Sequence, residues 1–172
     1  MTTFQAVVDA PPGEGQLPAR SQDDTELRYL VLAAQREGAR YMAGLLKPLS
    51  LTPAQAEILL VLSQRAPLTL AEVGRLIVCE SHSPSRIVDT LVKRGLVNRE
   101  SGQIDRRVVY LGLSPLGEEL LPQLREIDRG VDAMIASRLG SDEKGVMIRA
   151  LRKIIDGSAS GTALTVRFPR HS

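Results

Sequence analysis

Residues 83–113, SPSRIVDTLVKRGLVNRESGQIDRRVVYLGL, carry a helix, a stop and a hairpin in that order. Ser83 suits an N-cap and Pro84 the first helical position, where a missing amide costs nothing. Ile87, Val88, Leu91 and Val92 share one helix face, and Arg86, Asp89, Thr90 and Lys93 occupy the opposite one. Gly95 supplies the stop. Leu96–Arg99 and Val108–Leu113, rich in Val, Leu and Tyr, read as strands joined through the polar turn SGQIDRR. A helix with a polar outer face, followed by a hairpin with a basic tip, is the order of a recognition helix and a wing.

The flanks extend this pattern. Upstream, Leu68, Thr69 and Leu70 form a strand stub before AEVGRLIV, a short helix with Ala71, Val73, Leu76 and Ile77 available for burial. Thr52 and Pro53 open another helix that carries Ile58, Leu59 and Leu62 inward and ends before Pro67. Leu27, Leu30, Val31, Ala34, Tyr41 and Leu45 recur at helical spacing from Thr25 to Lys47, until Pro48 ends the run. Downstream, Ser114 and Pro115 repeat the cap-then-proline signature and open a long helix to Gly140, in which Pro122 is expected to produce a kink. Ser141, Asp142 and Glu143 start a last helix with Val146, Met147, Ala150, Leu151 and Ile154 on its apolar face, stopped by Gly157. The organisation expected is a flexible, Pro- and Gly-containing tail over residues 1–23 and a mainly α winged helix-turn-helix domain over 24–157. Helices at 24–47 and 115–157 flank a lobe at 51–113, and residues 158–172 form a second tail with a strand-like patch, TALTVRF.

Composition bounds the function. A chain of 172 residues, 43% hydrophobic and 24% charged, suits one globular domain. Aromatic residues make up 3%, tryptophan is absent, and Phe4 and Phe168 lie near the ends, so the core must be aliphatic. A net charge of +2 excludes a polycation that coats nucleic acid by charge alone. Local clustering has to serve instead: Arg86, Lys93, Arg94, Arg99, Arg106 and Arg107 outnumber Asp89, Glu100 and Asp105, and residues 115–132 are net acidic. The single cysteine, Cys79, excludes an intramolecular disulfide. Short apolar runs and the lack of a leader-like N-terminus point to a cytoplasmic protein with no membrane partner. No phosphate-binding glycine loop, HExxH or nucleophile elbow is present, which argues against an enzyme. His82, His171 and Cys79 are too scattered for a closed metal site, and no cofactor is expected.

The polar helix face and the wing tip suit double-stranded DNA. A helix fits the major groove, and the N-terminal part of a recognition helix reaches base edges. Ser85, Arg86 and Asp89 are the candidates for readout, with His82 and Ser83 just ahead, and Arg86 has the geometry to bond both acceptors of guanine. Lys93 and Arg94 suit phosphates. Arg106 or Arg107 at the hairpin tip suits the minor groove, with Asp105 fixing the orientation of one arginine. Two alternatives stay open: a winged helix whose basic face binds an acidic protein, and redox response through Cys79, which precedes the recognition helix. Glu80 opposes ionisation of that thiol, and a free cysteine is ordinarily a small buried residue.

LTPAQAEILLVL, PSRIVDTLVKRGLVNRE and DRRVVYLGLSPLGEELL, in that order, resemble the MarR (multiple antibiotic resistance regulator) family of transcription factors, over roughly Leu27 to Ile155. The resemblance implies a homodimeric regulator, a repressor on a pseudo-palindromic operator, with intertwined first and last helices. It maps the family's wing arginine to Arg107 and its aspartate partner to Asp105. The unpartnered stripes Leu27, Leu30, Val31 and Met147, Leu151, Ile154 agree with a second subunit. The resemblance also implies release by a small phenolic or aromatic acid, for which Tyr29, Arg36, Arg40 and Tyr41 are the candidate contacts. The urate-responsive subgroup carries a tryptophan that this chain lacks. The proline-rich start, Pro122 and the residues after Gly157 depart from the family pattern.

Overall fold

The structure is a computed structural model and describes residues 21–78 and 83–169. Two compact units divide the chain, one ending at Gly44 and the other beginning at Leu45. The described part of the first is most of helix α1 (Gln22–Leu46), whose opening turn carries Asp23 and Asp24, the sign that favours a helix N-terminus. Leu27, Leu30, Val31 and Tyr41 are exposed along it.

The second unit holds everything else. After a 3₁₀ turn at Lys47–Leu49 come α2 (Pro53–Arg65), β1 (Leu68–Thr69), α3 (Leu70–Leu76), α4 (Pro84–Lys93), β2 (Val97–Ser101) and β3 (Val109–Leu113). Then follow α5 (Pro115–Arg138), α6 (Ser141–Ile154) and α7 (Ala159–Arg167). The three strands form an antiparallel sheet in the order β1-β3-β2, with Leu111 opposite Leu68 on one side and Arg99 on the other. The mainly α winged helix-turn-helix expected from the sequence is therefore present.

Caps explain where these helices start. Thr52 Oγ1 accepts the Gln55 amide at 3.2 Å while Gln55 Oε1 accepts the Thr52 amide at 3.0 Å. Thr69 and Glu72 repeat this reciprocal box at α3. Bonds from the Thr69 amide, and then from its hydroxyl, hold the Glu72 carboxyl below its usual range. The core is aliphatic: α2 packs against α3, α4, β3 and α5, and Ile58, Leu59 and Leu62 of α2, Val73 of α3, Val88 and Leu91 of α4, Leu111 of β3 and Leu124 of α5 are all essentially inaccessible. Each such side chain stabilises the fold by about 1.5–3 kcal/mol relative to exposure.

One joint sets the angle between lobe and long helix. Gly95 closes α4 at φ 71°, a left-handed conformation that glycine adopts without penalty. Its carbonyl accepts the Ser114 hydroxyl at 2.5 Å, and the next carbonyl, of Leu96, accepts the Ser114 amide at 3.1 Å. Ser114 Oγ also caps α5 through the Gly117 amide at 3.0 Å. A Cβ on Gly117 would stand 2.2 Å from the Leu96 oxygen, so the Ser-Pro-Leu-Gly run is required by close approach of two backbones.

Several expectations need correction. Where a tail with a strand-like patch was expected over 158–172, α7 occupies Ala159–Arg167. Ser158 Oγ caps it by accepting the Gly161 amide at 3.0 Å, and the hydroxyls of Thr162 and Thr165 bond back to carbonyls four residues earlier. Burial of Ala163 and packing on α3 then outweigh the strand preference of the β-branched residues. The helix at Ser141 is thus not the last. Helix α3 ends at Leu76, and Ile77 is already extended. Ser83 occupies the N-cap position of α4 but makes no side-chain cap bond; its hydroxyl lies 2.8 Å from that of Ser85. Among the described residues no single helix is long and apolar enough to cross a membrane.

Candidate nucleic-acid interface

Helix α4 buries Ile87, Val88 and Leu91 against the lobe and turns Arg86, Thr90 and Lys93 outward. The Thr90 hydroxyl is absorbed by the Arg86 carbonyl at 2.9 Å. Arg86 and Lys93 make no ion pair among the described residues, which leaves both charges available on the outer face. Asp89 is engaged: its Oδ1 holds Nη2 of Arg99, on β2, at 2.5 Å, with both side chains partly exposed. The carboxylate therefore acts as a tether that places a guanidinium beside α4, and Arg99 joins the candidate surface. Sequence reasoning counted Arg99 in the basic cluster but had no means of pairing it with a residue ten positions earlier.

Arg94 is placed differently from Lys93. Its guanidinium donates to the carbonyls of Ser50 at 2.6 Å and Leu49 at 3.1 Å, closing the turn before α2, where Ser50 takes φ 53°. These bonds commit one donor of each terminal nitrogen to the protein's own main chain.

At the wing, β2 and β3 are joined through residues 102–108. Gly102 donates to the Val108 carbonyl at 2.8 Å, and Val108 donates to the Asp105 carbonyl at 3.1 Å. Asp105 Oδ1 accepts the backbone amide of Arg107 at 2.9 Å, so this aspartate shapes the turn through the main chain. Arg106 and Arg107 are exposed at the tip. Beside them Ile104 is fully exposed, an apolar side chain at the point of the hairpin that sequence reasoning did not single out.

The remaining candidates separate. His82 and Cys79 lie outside the described residues. Tyr29, Arg36, Arg40 and Tyr41 are all exposed on α1, but at about 100° per residue the first three share one stripe while Tyr41 falls with Leu27, Leu30 and Val31 on the apolar side. The four therefore do not converge on one face. Arg40 pairs with Glu37 at 2.5 Å, and the Arg28 guanidinium lies 4.5 Å from the Tyr29 ring centre. No group of three or more His, Cys, Asp or Glu side chains able to hold a metal ion occurs among the described residues.

A core-locked helix-turn-helix, a basic outer face on its second helix and an arginine-tipped hairpin define a winged helix-turn-helix protein. The chain belongs to the MarR family of DNA-binding transcriptional regulators, which are not enzymes; the family model matches residues 51–109. It is 27% identical over 131 residues to the HTH-type transcriptional regulator MgrA of Staphylococcus aureus, covering 76% of this chain and 88% of that protein. With the HTH-type transcriptional regulator YkoM of Bacillus subtilis it shares 30% identity over 101 residues, 59% of this chain and 66% of the relative. Its fold is shared with a cysteine-to-serine mutant of Escherichia coli MarR complexed with operator DNA, with a TM-score of 0.68, 23% identity, and coverage of 77% of this chain and 96% of the other.

Proposed function

We propose that the protein is a homodimeric repressor that binds a pseudo-palindromic operator, each subunit placing α4 in the major groove and its wing in the adjacent minor groove. The observation that carries this reading is the set of cations that make no ion pair among the described residues, Arg86 and Lys93 on the outer face of α4 and Arg106 and Arg107 at the wing tip. The Asp89–Arg99 pair ties the two elements together. Arg86 is assigned to a guanine edge, Ser85 to a base or phosphate, Lys93 and Arg99 to phosphates, and the wing arginines to the minor groove. That the structurally similar Escherichia coli protein was solved in complex with operator DNA supports DNA as the partner.

A second copy of the chain is the partner that the exposed apolar residues require: Leu27, Leu30 and Val31 on α1, and Val146, Met147 and Ile154 on α6. Release by a small phenolic or aromatic acid belongs to the same proposal and draws its support from the family. The stripe of Tyr29, Arg36 and Arg40 offers the ring and the guanidinium groups such an acid would use.

The test is fluorescence anisotropy across a salt series, with a labelled duplex from upstream of the protein's own gene and a scrambled duplex of equal length, beside a genome-wide occupancy map. The expected result is a site bound about a thousandfold tighter than scrambled DNA, with a steep salt slope. Equal, weak binding to both duplexes and an occupancy map without peaks would overturn the proposal.

A further inference from the structure

The helix that departs from the family pattern, α7, is built into the helix-turn-helix. Gly161 lets its first turn approach the chain before it, since a Cβ there would stand 2.3 Å from the Ile155 oxygen. Ala163 is 1% exposed, and α7 packs on α3. Two guanidinium groups reach the C-terminal end of α7, where partial negative charge gathers: Arg65 of α2 donates to the Val166 carbonyl at 2.9 Å and Arg152 of α6 to the Phe168 carbonyl at 3.1 Å.

The central contact is an ion pair between Arg167 and Glu57 of α2, with only 19% and 12% of the side chains exposed. Arg167 Nη1 also lies 3.4 Å from the carbonyl of Leu76, the last residue of α3. The Glu57 oxygen that takes the guanidinium also accepts the Val78 amide at 3.0 Å, two residues beyond α3 on the way to α4. Helix α3 in turn packs against α4, and Pro84 Cγ lies 3.6 Å from where a Cβ on Gly74 would stand. A continuous set of contacts thus runs from α7 through Glu57 and the exit of α3 to the start of the recognition helix.

We propose that α7 is a strut of the DNA-reading unit and that Arg167 is its positioning residue, fixing the Glu57 carboxylate on the Val78 amide and so the angle at which α4 is presented. The inference rests on the DNA-binding reading above. Arg167 itself touches no DNA; it acts on which sequences are bound and leaves the general attraction to phosphate unchanged.

The experiment compares wild type with Arg167→Met, which keeps the aliphatic stem and removes the guanidinium. Operator affinity is expected to fall at least about tenfold, the worth of one charge-assisted hydrogen bond, while affinity for scrambled DNA and the salt slope stay as in wild type. Residue-resolved hydrogen exchange should show the Val78 amide exchanging faster in the variant, with core amides of α2 unchanged. Arg167→Lys, which keeps the charge but replaces the planar guanidinium whose Nη1 meets both Glu57 and the Leu76 carbonyl, should fall between the two and serves in place of the methionine variant if that fails to fold. Unchanged operator affinity with unchanged Val78 protection would overturn the proposal. So would equal loss on operator and scrambled DNA accompanied by loosening of the whole lobe, which is the mark of a purely structural role. If wild type itself prefers no sequence, the operator reading fails, and exchange at Val78 still tests the strut.

Discussion

Replacing Gly117 by alanine tests the joint between lobe and long helix. The added methyl would stand 2.2 Å from the Leu96 oxygen and 3.2 Å from its carbonyl carbon. That oxygen has little freedom, because it accepts the Ser114 amide at 3.1 Å and the Leu96 side chain is 2% exposed. Ordinary contact is restored only if α5 retreats by roughly 1 Å, which stretches the Ser114 bonds to Gly95 and Leu96. Overpacking of this kind costs about 1–3 kcal/mol, and one weakened hydrogen bond adds about 1 kcal/mol. Alanine's better helix propensity returns at most about 1 kcal/mol. The net loss is about 1–3 kcal/mol, so at about 2–4 °C per kcal/mol for a protein of this size Tm should fall by roughly 2–12 °C. Thermal melts followed by circular dichroism and urea midpoints with an unchanged slope would measure this. Gly130→Ala is the control, since a Cβ there meets nothing within 4 Å. A Gly117→Ala variant as stable as wild type, or one matching the control, would refute the close-approach argument.

Three further outcomes are expected. Arg86→Ala should cost about 1–3 kcal/mol at one base position per half-site, and Lys93→Ala should lower the salt slope by about one per subunit with little change in preferred sequence; selection of binding sites from a random pool, with affinities across salt, separates them. Gly102→Ala should weaken operator binding while leaving the lobe's melting nearly unchanged, because its Cβ would meet the Asp105 oxygen at 2.7 Å and deform the turn that presents Arg106 and Arg107. Burial, and then the neighbouring charge of Asp132, push the Asp128 carboxyl above its usual value, with Arg167 opposing. A raised folded-state pKa means stability that is complete below the unfolded value of 3.8 and lost as pH rises through the folded one. Asp128→Asn should therefore raise Tm at pH 7, and the advantage should vanish as melts are repeated toward pH 4.

The helices and wing were readable because their signals are local. Thr52-Pro53, Ser114-Pro115 and the two stop glycines act within a turn of the boundaries they mark, and the apolar spacing of Ile87, Val88 and Leu91 reports one buried face. Helix α7 was not readable, because Thr162, Thr165 and Val166 favour a strand until α3 supplies a surface for Ala163. In the candidate site the types of residue were legible and their partners were not. Arg94 looks like any phosphate-binding arginine until Leu49 and Ser50, more than forty positions away, present their carbonyls to it. Asp89 reads as a base contact until Arg99 folds back onto it. The four effector candidates on α1 were grouped by chemistry, and the helical turn separates Tyr41 from the rest.

The short chain between α4 and β2 has a consequence for the DNA. Lys93 ends the helix, Val97 begins the strand, Leu96 and Val97 are buried between them, and Asp89 clasps Arg99 across the gap. If α4 and the wing read DNA as proposed, they behave as a caliper with its jaws locked. Adding one base pair between the positions read by α4 and those read by the wing would displace them by about 3.4 Å and turn them by roughly a tenth of the helix. A half-site of the operator should consequently tolerate changes of letter far better than changes of length.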